Sequence, residues 1–190
     1  AYQAIADRND IDALIHLGDY IYEYDAGGYS ANIGRTEEPT NEIISLADYR
    51  IRHSHYKLDD QLKRAHQVVP FITTWDDHES ANNAWMNGAQ NHSAGEGPWA
   101  ARKANSIRAY AEWMPLRYPD PSDTLKIYRK IEFGNLLDIL VLDTRLIGRD
   151  EQNLGQAGSS NRSLLGSTQF KWLKDNLADS SSTWKLIAQQ

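Results

Sequence analysis

The stretch TWDDHESANN, Thr74 to Asn83, puts three acids, a histidine and two amides directly behind an apolar run, VVPFIT. Adjacent carboxylates such as Asp76 and Asp77 repel unless something positive neutralises them. Carboxylate and amide oxygens are the donors that hard cations prefer. His78 could be a ligand, a general acid or a packed histidine, and its acidic company favours chemistry. A second stretch, GDYIYEY, Gly18 to Tyr24, follows the apolar Ala13-Leu14-Ile15 and spaces Asp19 and Tyr22 as D-x-x-Y. A phenol has a reference pKa of roughly 10. A multivalent cation beside it can lower that and make phenolate a ligand, a hard donor suited to ferric iron. Packing competes with this reading, because Tyr20, Tyr22 and Tyr24 at i, i+2, i+4 would share one face of a continuing strand. A third stretch, ILVLDTR, ends in Asp143-Thr144-Arg145.

Ligands in open α/β sheets bind outside the carboxyl ends of strands. Asp19, Asp76 and Asp143 each stand at such an end and can converge on one cleft. A single Asp there is more often a turn residue, whereas three at matching positions favour a site.

Strands must therefore lie behind these acids. Asp12 to Leu17 and Val68 to Trp75 read as short buried strands. Leu125 to Phe133 and Leu136 to Leu142 alternate and join at Gly134-Asn135, which predicts a hairpin. Trp184 to Ala188 read as one more strand. Residues 1–9 read as a helix end, Leu46 to His66 as helix broken near Lys57-Leu58, and Pro98 to Met114 as helix with Pro98 at its start. Ser167 is a plausible N-cap for a helix with Phe170, Leu173 and Leu177 facing inward. Residues 25–45, 77–97 and 148–166 read as loops. Strands separated by helices, plus a hairpin, predict an α/β fold with a mixed sheet.

The chain has 190 residues, enough for one domain with a real core. Its net charge of -6 disfavours a nucleic-acid backbone as partner and, with it, a nuclease. No apolar run is long enough for a membrane span. The first residues, AYQAIADRND, contain no signal-peptide core. Absence of cysteine excludes disulfides and thiolate ligands within these residues. There is no G-x-S-x-G elbow, P-loop or dinucleotide fingerprint.

Taken in order, GDYIYEY, TWDDHESANN and VLDTR resemble the PhoD-like alkaline phosphatase/phosphodiesterase family of the metallophosphatases. YRIRHSHYKLDDQL and LGSTQFKWLKDNL extend the resemblance along most of the chain. GD-x-x-Y is also similar to the ferric-iron motif of purple acid phosphatases. DDHE is similar to the metallophosphatase Asn-His-Asp/Glu motif, with Asp77 where many relatives have Asn. The resemblance implies a calcineurin-like core of two facing mixed sheets flanked by helices, and a cluster of Fe3+ and Ca2+. It implies Asp19 as a bridging metal ligand, Tyr22 as the phenolate on iron and Asp77 as a further ligand. Tyr20 and Tyr24 are left to packing. His78 would act on the phosphate as general acid or contact. Asn82 and Asn83 would be weaker calcium or phosphate contacts. Arg145 would fork onto a phosphate oxygen, with a salt bridge to Asp143 or Asp76 as the equal alternative.

The implied activity is hydrolysis of phosphate mono- or diesters, in the periplasm or outside the cell. The rivals are a metal-dependent hydrolase of another class and a truncated or degenerate domain that binds metal or phosphate without turnover. The family also carries a cysteine iron ligand ahead of the first motif and a Gly-Asp-x-His motif after the last. The expectation is thus a partial domain over 1–190, lacking the N-terminal strand and the C-terminal part. Its partner would be the rest of that domain, and alone it would hold part of the cluster and be inactive.

Overall fold

The apolar runs behind the first two motifs form a parallel pair. In the computed structural model, which describes residues 1–28, 36–152, 154–156 and 158–190, β1 (Leu14–His16) lies beside β2 (Phe71–Thr73), with Ile15 opposite Ile72. Both strands are shorter than the sequence predicts. The backbone turns left-handed at Gly18 (φ 110°) and Asp19 (φ 55°), which ends β1. Beyond β2, the Asp76 amide bonds the Glu79 carboxylate instead of a neighbouring strand.

A parallel pair needs a long crossover. Here α1 (Tyr2–Ala6) precedes β1, and α2 (Leu46–Tyr56) and α3 (Asp60–Val68) return the chain to β2. The predicted break near Lys57-Leu58 falls between α2 and α3. Ser45 and Asp48 form a capping box on α2, and Asp59 caps α3.

The second sheet has the order β3-β4-β5, from β3 (Arg129–Phe133), β4 (Leu137–Val141) and β5 (Trp184–Ala188). β3 and β4 form the predicted antiparallel hairpin, with Gly134 at φ 57° in its turn. β5 joins β4 in parallel through α5 (Gly166–Asp179). Of the two mixed sheets expected, one is mixed and the other is a parallel pair. The tight Gly134-Asn135 turn makes β3 and β4 antiparallel, while the helical crossovers are long enough for the parallel pairs β1–β2 and β4–β5.

Ile15 and Ile72 of the first sheet share an apolar cluster with Ile139, Val141 and Ala188 of the second. The Thr74 hydroxyl donates to the Leu142 carbonyl oxygen at 2.8 Å, tying the two strand ends together. The larger core lies under the motif loops, where Tyr20, Ile21, Trp75, Ala81, Ala84 and Leu146 pack with Tyr110 of α4 (Trp99–Trp113). Pro98 precedes α4 as predicted.

The start of α5 differs from expectation. Ser167 lies inside the first turn, and the Ser163 hydroxyl accepts the Gly166 amide at 2.7 Å instead. Leu173 and Leu177 face inward with Leu140 and Leu142, but Phe170, one turn before Leu173 on the same stripe, is 52% exposed, beneath the Lys174 ammonium. Among the described residues no helix is long and apolar enough to cross a membrane. The predicted loops over 25–45 and 148–166 fall partly outside the described residues.

Candidate metal centre

A close backbone approach brings the first two motifs together. A Cβ on Gly18 would lie 2.2 Å from the Asp76 amide nitrogen and 2.7 Å from the Trp75 carbonyl carbon. Only glycine lets the end of β1 press this closely on the end of β2. Glu79 then staples the two loops. It is buried and accepts the Tyr20 amide at 2.5 Å and the Asp76 amide at 2.8 Å. Burial pushes its carboxyl up to about 8.

This approach sets Asp19 beside Asp77 and His78, with one ligand atom from each lying within 4.8 Å of the others. Asp77 is buried; its Oδ1 accepts the His78 amide at 3.1 Å and its Oδ2 the Asn83 amide at 2.6 Å. Asp19 Oδ2 accepts from the Tyr22 hydroxyl at 3.1 Å. Its Oδ1 is buried and has no hydrogen-bond partner among the described residues. Burial raises the Asp19 carboxyl and Asp77 adds to this, while His78 pulls it back. An acid raised by desolvation and a neighbouring acid gains most from a cation. The donor set of two carboxylates, an imidazole and a nearby phenol therefore fits a hard or borderline metal ion.

His78 is held from behind. Its Nδ1 lies 2.6 Å from Oε2 of the fully buried Glu23, whose Oε1 accepts the Asn82 amide at 2.6 Å and the Asn91 side-chain amide at 2.9 Å. Burial lowers the His78 imidazole, but Glu23, Asp77 and Asp19 together hold it above its ordinary value. Burial likewise opposes the Glu23 charge, and the His78 contact and the amide donors outweigh it, leaving its carboxyl low. The Tyr22 ring lies 4.4 Å from the imidazole and the Tyr24 ring 5.4 Å.

The structure separates the other predicted residues. Asp143 stays out of the group. It is fully buried, and its Oδ1 accepts the Trp75 indole at 3.0 Å and the amides of Arg145 at 2.7 Å and Leu146 at 2.9 Å. It organises the turn after β4, so two strand ends converge here rather than three. Arg145 forms an ion pair with Asp76, at 2.5 Å, and lies 3.7 Å from Asp77. Asn82 and Asn83 direct their side-chain nitrogens to Gln90, at 3.2 and 2.5 Å. What they give the group is backbone: the Asn82 amide on Glu23 and the Asn83 amide on Asp77.

The three tyrosines do not share a face, because residues 18–24 form no strand. Tyr20 turns away to bond His66 at 2.8 Å, while the Tyr24 ring packs 5.4 Å from His78. Glu23 and Glu79 carry positions that sequence reasoning did not assign. Both lie inside the quoted motifs, but only the tertiary approach shows which groups they hold. A cavity of about 420 Å³ opens beside Asp19, lined by Tyr2, Tyr20, Tyr56, Leu58 and Leu62 among others. It meets the group through Asp19 alone, and Asp77 and His78 do not line it.

Comparison with known proteins shows the family. The chain is 39% identical over 201 aligned residues to alkaline phosphatase D of Bacillus subtilis (strain 168), a match covering 100% of this chain and 34% of that protein. The solved structure of PhoD superposes with a TM-score of 0.88 at 40% identity, covering 100% of this chain and 38% of that one. The chain thus spans about a third of the length of these relatives. The family model described as PhoD-like phosphatase matches residues 1–190, and the chain belongs to that family.

Proposed function

We propose that this chain is part of a metal-dependent phosphate-ester hydrolase acting on phosphate mono- or diesters. The observation that carries this reading is the convergence of Asp19, Asp77 and His78 in a chain of the PhoD-like phosphatase family. Asp19 and Asp77 would hold metal, with Tyr22 joining as phenolate; its oxygen already lies 3.1 Å from Asp19. We assign ferric iron to the Asp19–Tyr22 side and calcium as the companion ion, following the family resemblance and the hardness of these donors. Bound cations supply phosphate charge neutralisation and a more acidic water.

The chain's own side chains do the positioning. Glu23 anchors His78 at Nδ1 and leaves Nε2 for the phosphate. The raised imidazole pKa suits it to give a proton to the leaving oxygen. Arg145 faces the phosphate from the side of Asp76. Asn82 and Asn83 act through their amides, keeping Glu23 and Asp77 in place. The calcineurin-like core and a periplasmic or extracellular location belong to the same reading, and cell fractionation tests the location.

The deciding experiment assays phosphate monoester and diester hydrolysis by the full-length protein of which this chain is part, before and after chelation. Turnover lost on chelation and restored by metal is expected. Tight metal binding with no turnover on either ester class would favour a binding domain instead. His78→Ala is expected to keep the metal and lose turnover; loss of metal would make His78 a ligand rather than a proton donor.

A further inference from the structure

The stretch that follows β4 brings two arginines to the rim of this site, and their charges are balanced differently. Arg145 is paired with Asp76 at 2.5 Å and sits 3.7 Å from Asp77. Arg149 makes no ion pair among the described residues. It is partly buried, and its Nη1 donates to the Thr144 carbonyl oxygen at 3.2 Å. Its backbone is fixed, because the Met86 amide donates to the Arg149 carbonyl oxygen at 3.1 Å. Gly148, next to it, packs so closely on Gly166 that a Cβ would lie 2.3 Å from the Gly166 amide nitrogen.

The oxygen and nitrogen of an amide side chain are told apart by their neighbours. Gln152 faces two guanidinium donors; turned with its oxygen towards them, it accepts from Arg145 Nη1 at 3.0 Å and from Arg149 Nη2 at 3.3 Å, with Asn83 Oδ1 also 3.2 Å from that point. Two cations therefore converge on one neutral oxygen. Burial works most against the Arg149 charge and the nearby Arg145 adds to this, while Asp76 and Asp77 offset part of it from a distance. An amide dipole offsets little of that repulsion, and an anionic oxygen at the same point would offset far more. Gln152 is exposed, so it can move aside.

We propose that Arg149 and Arg145 form a two-guanidinium clamp for a non-bridging oxygen of the substrate phosphate, which takes the place of the Gln152 amide oxygen. This rests on the phosphate-ester reading above. It makes Arg149 the main phosphate contact, because Arg145 is held in a direct ion pair with Asp76 and Arg149 is in none among the described residues. A guanidinium suits the task, since its fork can hold the Thr144 carbonyl and a phosphate oxygen together.

The test is calorimetric titration of the metal-loaded protein with inorganic phosphate, with kinetics alongside. Arg149→Ala should weaken phosphate binding about tenfold or more, as loss of a charged hydrogen bond does, with metal content unchanged. Arg149→Lys should recover part of this, because an ammonium gives charge without the fork. Gln152→Ala should bind phosphate more tightly. Unchanged phosphate affinity in Arg149→Ala, or weaker affinity in Gln152→Ala, overturns the clamp whatever the turnover. If Arg149→Ala does not fold, Arg149→Gln in the same titration decides between the same two results. Phosphate bound through Arg149 without ester hydrolysis would instead sink the hydrolase reading and leave the clamp standing.

Discussion

Gly18→Ala tests the close approach on which the site depends. Two costs add at this position. Its φ of 110° lies where L residues are strained, at about 1–2 kcal/mol. The new methyl would also lie 2.2 Å from the Asp76 amide nitrogen and 2.5 Å from the Asp76 Cβ. These are backbone atoms and a Cβ, so no rotamer change relieves the contact. The loops must retreat by about 1 Å, and overpacking of this kind costs roughly 1–3 kcal/mol. The total is about 2–5 kcal/mol, and the retreat pulls Asp19 from Asp77 and strains both Glu79 hydrogen bonds. Gly134→Ala supplies the comparison. Gly134 has φ 57° but nothing within 4 Å of its Cβ position, so only the conformational cost of about 1 kcal/mol applies. Urea unfolding and metal analysis of both variants are the assay. Gly18→Ala should be clearly the less stable and should lose metal, while Gly134→Ala keeps it. Equal stability and equal metal content in the two would refute the reasoning.

Other consequences are independent of this one. Trp75→Phe removes the indole donor to the buried Asp143 carboxylate, 3.0 Å away, and should cost about 2 kcal/mol in urea unfolding; a loss below about 0.5 kcal/mol would contradict the role given to Asp143. His53 is buried without a hydrogen-bond partner for either ring nitrogen among the described residues, and burial lowers its pKa to about 3. The unfolded imidazole takes a proton near pH 6.5 and the folded one does not. Stability is thus fully present above that pH and falls as pH drops from 6.5 towards 3, by about 1.4 kcal/mol per pH unit. His53→Gln should flatten that slope in urea titrations at pH 7 and pH 5, and an unchanged slope would reject the assignment. Tyr22→Phe should abolish any visible phenolate-to-iron absorption of the metal-loaded protein; a band that survives the substitution places iron elsewhere.

Much of this arrangement is legible from short-range chemistry. The helix break near Lys57-Leu58, the Gly134-Asn135 hairpin and the acids behind β1 and β2 follow from capping, turn and alternation rules. Strand lengths do not, because left-handed residues at Gly18 and Asp19 end β1 inside a run that still looks extended. Asp143 resembles Asp19 in its strand-end position, and only its hydrogen bonds, from the Trp75 indole to its carboxylate and between its backbone and the Gln169 side chain, show that it is structural. Glu23 and Glu79 appear in the motifs as further acids. Their partners, His78 and the Tyr20 and Asp76 amides, lie across loops whose approach no local pattern encodes. Arg149 is silent for the same reason, since its value lies in its place beside Arg145 and Gln152, which only the fold reveals.

The most direct test of the metal centre is elemental analysis of the wild-type protein and of Asp77→Ala, purified identically and verified as folded. In the full-length protein the wild type should carry iron and calcium in stoichiometric amounts, and Asp77→Ala should lose metal together with phosphate-ester hydrolysis. Full metal content in folded Asp77→Ala would contradict the assignment of Asp19 and Asp77 as ligands of one metal centre.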